Sequence, residues 1–87
     1  MTAKRGLFTT MTYKTFIVEE IGKALRTIDH EIYIGKHDIF IIVRGQNIYP
    51  RKVRRYIISM KDCRESGLYH TLHAMIVDLI TEGFRFN

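Results

Sequence analysis

The spacing of apolar residues changes several times along the chain, and each change marks an element. Ile17, Ile21, Leu25 and Ile28 fall four, four and three residues apart, which predicts a helix from about Thr12 with these side chains on one face. Thr12 or Thr15 can cap its start. The period then drops to two. Glu31-Ile32-Tyr33-Ile34 alternates, Gly35-Lys36-His37-Asp38 supplies turn residues, and Ile39-Phe40-Ile41-Ile42-Val43-Arg44 is β-branched and aromatic. This predicts a β-hairpin with a loop of four residues. Its second strand is apolar on both faces and therefore needs cover on both sides. One helix layer supplies one cover. A second subunit is the favoured source of the other, with Ile39, Ile41 and Val43 as the expected dimer interface.

After Gly45-Gln46-Asn47 and Pro50, the preferred reading of Arg51 to Asp62 is a helix with Pro50 near its first position. Val53, Tyr56, Ile57 and Met60 would lie on one side, and Arg51, Lys52, Arg54 and Arg55 on the other. The competing reading is a third strand through Val53 to Ser59, because Tyr56-Ile57-Ile58 has strong strand propensity. The last helix is clearer. Leu68, Leu72, Met75, Ile76 and Leu79 recur at helical steps, Gly83 stands at a left-handed C-cap position, and Phe84 and Phe86 should fold back onto the core. The fold class is accordingly α+β: an antiparallel hairpin or three-stranded sheet packed against an N-terminal and a C-terminal helix, as a dimer. Residues 1–11 are read as a flexible tail and residues 12–87 as one domain.

Size sharpens the need for a partner. A chain of 87 residues buries only about 60–65% of the surface its unfolded form exposes. One cysteine, Cys63, excludes an intrachain disulfide and points to a reducing compartment, most simply cytoplasm. No apolar run approaches the roughly 20 residues that cross a bilayer, so no membrane role is expected.

Fourteen Lys and Arg against nine Asp and Glu give a net charge of +5, which favours polyanions through counterion release. Much of that charge gathers in Tyr49-Pro50-Arg51-Lys52-Val53-Arg54-Arg55-Tyr56, four cations in five positions between two tyrosines. Arginine grips phosphate bidentately and tyrosine stacks on unpaired bases. The expected nucleic-acid site is therefore Arg44, Tyr49, Arg51, Lys52, Arg54, Arg55 and Tyr56, extended by Lys61 and Arg64. RNA is favoured over DNA, because helix-turn-helix spacing is absent and tyrosines flank the run.

Other chemistry is weaker. His70 and His73 lie three apart with Cys63 upstream, but zinc needs a second ligand pair and none is present, so no metal or other cofactor is expected. His30 or His37 beside Glu31 or Asp38 could serve a small ribonuclease, the least favoured reading. No enzyme is expected. A pure protein-interaction module, whose arginines meet an acidic or nuclease partner, is the main alternative to RNA binding.

In size, charge and the Tyr49–Tyr56 segment the chain resembles small basic early proteins of T-even-type bacteriophages that inhibit host defence systems, among them inhibitors of toxin–antitoxin ribonucleases. That resemblance implies an RNA-assisted inhibitor of a host nuclease or toxin. The strand reading of residues 53–59 would also give the α-β-β-β-α order of the double-stranded-RNA-binding fold. That family's lysine-rich start to the final helix is replaced here by Gly67-Leu68-Tyr69-His70.

Overall fold

The structure, a computed structural model, describes residues 10–45 and 52–86, and of residues 10–12 the backbone alone. These residues form an α+β fold in the order α1 (Thr10–Ala24), β1 (Asp29–Ile34), β2 (Asp38–Arg44), β3 (Val53–Ser59), α2 (Met60–Ser66) and α3 (Leu68–Thr81). The apolar face predicted for α1 is buried as expected: Ile17, Ile21 and Leu25 are wholly enclosed and Ile28 nearly so. The helix opens at Thr10, slightly earlier than its spacing implied, and ends at Ala24, so Leu25 and Ile28 are buried from the turn that follows it.

The strands form one antiparallel sheet in the order β1-β2-β3. Gly35 N–H donates to the Asp38 carbonyl at 2.7 Å to close the hairpin, so its tip is tighter than a four-residue loop. Lys14 locks that tip to α1. Its side chain is 91% buried, and its ammonium donates to the carbonyls of Gly35 and Lys36 at 2.8 and 2.6 Å. Gly45 N–H donates to the Lys52 carbonyl at 2.9 Å where β2 and β3 approach the loop between them.

The helix expected over Arg51–Asp62 is corrected. Val53–Ser59 is a strand, and the helix that follows starts at Met60, with the Ser59 hydroxyl accepting from Asp62 N–H at 2.9 Å. The reason is tertiary. The edge of β2 offers a full ladder of backbone partners, and β-branched and aromatic residues at 53 and 56–58 suit it. Short α2 turns into α3 at Gly67, whose φ of +89° only glycine adopts readily. Gly83, at φ +97°, ends α3 as expected. Phe84 N–H reaches back to the Leu79 carbonyl at 2.9 Å and its ring is buried, a Schellman closure with its apolar contact.

All three described helices pack on the same face of the sheet. The core joins Ile17, Ile21 and Leu25 to Ile39, Ile41, Val43 and Ile58 of the strands and to Leu68, Leu72, Met75 and Leu79 of α3. The expected dimer interface is thereby corrected, since Ile39, Ile41 and Val43 have no exposed surface and lie beneath the helices. Among the described residues no helix is long and apolar enough to cross a membrane.

Candidate functional site

Becoming a strand splits the basic run. Successive strand residues point to opposite faces, so Arg54 and Tyr56 join the helix side while Val53, Arg55 and Ile57 face away from it. The register fixes this: Arg54, Tyr56 and Ile58 pair with Val43, Ile41 and Ile39, all core residues of β2.

On the helix side the cations are already engaged. Arg54 Nη2 donates to Asp78 Oδ2 at 2.8 Å, and its Nη1 lies 3.9 Å from Glu82. The Tyr56 hydroxyl donates to the same Asp78 oxygen at 2.5 Å. Tyr56 and then Arg54 hold the Asp78 carboxyl below its usual range. Burial, followed by the bond to Asp78, pushes the Tyr56 phenol up to about 12. Lys52 Nζ donates to the Glu82 carbonyl at 2.7 Å, at the negative end of α3. Lys52, Arg54 and Tyr56 thus fasten β3 to the end of α3.

The remaining expected site residues do not converge. Arg44 pairs with Glu31 on the open face, Lys61 lies 4.0 Å from Glu65 on α2, and Arg64 is exposed on α2. Tyr49, Pro50 and Arg51 lie outside the described residues. The candidate ribonuclease groups are also separated. His30, second in β1, lies opposite Val43 on the helix side, Glu31 points to the other face, and His37 sits at the hairpin tip. Cys63 is buried, which raises its thiol, while His70 and His73 are exposed on α3. Among the described residues no group of three His, Cys, Asp or Glu stands together.

What the structure does assemble is an uncovered sheet face. Its rows follow from the strand registers. Tyr33, Phe40 and Ile57 form one row, Glu31, Ile42 and Arg55 the next, and Asp29, Arg44 and Val53 the third. Ile57 is 66% exposed, Tyr33 51%, Val53 41% and Phe40 40%. Large apolar side chains this open, and this close together, make this face the candidate interaction surface. The charges on the face balance, with Asp29 and Glu31 against Arg44 and Arg55. Glu31 accepts from the Tyr33 hydroxyl and from Arg44, and these two partners, Tyr33 foremost, keep its carboxyl below the usual range. Arg55 is exposed, and its side chain makes no hydrogen bond or ion pair among the described residues.

The sequence carried a signal for this face, namely that β2 is apolar at both parities. It selected the wrong parity, since Phe40 is exposed and Ile42 half-buried on the open face where Ile39, Ile41 and Val43 are covered. Searches against protein-family models, curated proteins and solved structures match nothing to this chain.

Proposed function

We propose that this chain is a non-enzymatic protein-binding module that works through the open face of its sheet. One observation carries the reading: helices cover one side of a three-stranded sheet, and the other side presents Tyr33, Phe40, Val53 and Ile57 around balanced charges. Burying apolar surface contributes roughly 25 cal/mol per Å², so such a face gains from being covered. Its charge balance suits a protein surface better than a polyphosphate, which needs an excess of cations. An inhibitor of a nuclease or toxin, the role implied by the phage resemblance, would use this face to cover its target.

The test is capture by tagged protein from the cells that make it, with an untagged copy co-expressed. Partners captured by the wild type should be lost with I57E and with F40E, each shown folded by circular dichroism. Capture unchanged in both variants overturns the reading.

Binding of single-stranded RNA is the second reading, favoured by one arrangement. Tyr33 and Phe40 are cross-strand neighbours with exposed rings, on the same face as exposed Arg55. Bases stack on such rings for about 1–3 kcal/mol each. It requires nucleic acid to copurify, as a high 260/280 absorbance ratio, and affinity to fall steeply with salt.

A further inference from the structure

Resting on the protein-binding reading of the open face, we infer that its occupant is a second copy of this chain, packed sheet to sheet about a two-fold axis that runs along β2. The argument comes from the registers. Glu31, Ile42 and Arg55 stand in one row across the three strands. A two-fold rotation about an axis parallel to the strands, lying in the plane between the sheets, exchanges the edges and preserves the rows. It sets Glu31 opposite the partner's Arg55 and Arg55 opposite the partner's Glu31, with Ile42 meeting the partner's Ile42 between them.

The neighbouring row is compatible. Phe40 meets the partner's Phe40 near the axis, and Tyr33 meets the partner's Ile57. In the third row the two Arg44 side chains would approach each other, but each is drawn aside to its own Glu31. Glu31 then stands between two guanidiniums, its own Arg44 and the partner's Arg55, which a carboxylate's several lone pairs permit. Two sheets in aligned packing cross at about 30°, so pairs in the middle row stay closest to register. The middle row is self-complementary in charge as an isologous interface requires. It spans three strands of up to seven residues, roughly 15 by 23 Å. That is below the ~800 Å² per partner of a standard interface, so the association is a weak, transient one.

Light scattering from a few to about 300 μM should follow the mass from 10.3 kDa towards twice that value. A monomeric mass throughout overturns the inference. E31R alone sets like positive charges opposite each other at both sites, and R55E alone sets like negative charges. Each should raise the dissociation constant roughly a hundredfold. An equimolar mixture of the two variants presents opposite charges at both sites and should recover the dimer, whereas a mixture that stays monomeric overturns the pairing.

Should E31R fail to fold, R55E is compared with R55Q. Charge reversal must weaken association at least tenfold more than neutralisation, and the difference must shrink as salt rises; equal effects overturn the inference. Failure of the dimer and failure of the face are distinguishable. A wild-type monomer whose captured partners are lost with I57E rejects the second copy and keeps the face. A chain in which I57E and F40E alter neither mass nor capture rejects both.

Discussion

Tyr56, Arg54 and Asp78 show how a residue with the look of a ligand group becomes a structural one. Tyr56 and Arg54 both bond the same Asp78 oxygen, and the phenol is half-buried against the core. Its folded pKa of about 12 lies above the ordinary 10, so the fold favours the protonated phenol. Its contribution is therefore complete below pH 10 and is lost as pH rises from 10 to about 12. Alkaline titration followed by absorbance should show a tyrosine step near pH 12 that disappears in Y56F, and Y56F should cost about 1 kcal/mol in urea unfolding. Asp78 works in the opposite sense. Its folded pKa is depressed, so its contribution is present above the ordinary carboxylate pKa and fades as pH falls below it. Lys14 is the other residue whose charge is used internally. Replacing it with Met removes two charge-assisted bonds to the hairpin tip and should lower stability by about 1.5–3 kcal/mol, read from the urea midpoint.

At the scale of elements, α1, the hairpin and α3 were legible because their apolar periods are clean. β3 was not. Its cations read as the polar side of a helix, and their partners Asp78 and Glu82 lie about a quarter of the chain away. Only the available edge of β2 decides for a strand, and that edge is invisible locally. The expected cationic stripe is split for the same reason: the alternation of a strand sends Arg54 and Arg55 to opposite faces. The exposed face was half legible. Two-sided apolarity in β2 announced that a second cover was needed, but with isoleucine at both parities nothing in the sequence said which side met the helices. A one-residue choice exchanges the faces entirely. The α2–α3 junction carries a sharper expectation. Gly67 sits at φ +89° and ψ 139°, a region open to glycine almost alone, so G67A should cost about 1–3 kcal/mol and lower the thermal midpoint.

For the whole molecule, the +5 charge and the proposed site of action come apart. Three members of the basic run serve as fastenings between β3 and α3, while the face that most needs a partner is nearly neutral and apolar. Two sets of variants separate these roles. I57E changes the open face and leaves the fastening alone; K52A/R54A does the reverse. Light scattering on both, beside thermal unfolding, is the most direct test. I57E should be monomeric with an almost unchanged midpoint, and K52A/R54A should unfold earlier while still associating. Association lost in K52A/R54A and retained in I57E would contradict the account and return the function to the basic run.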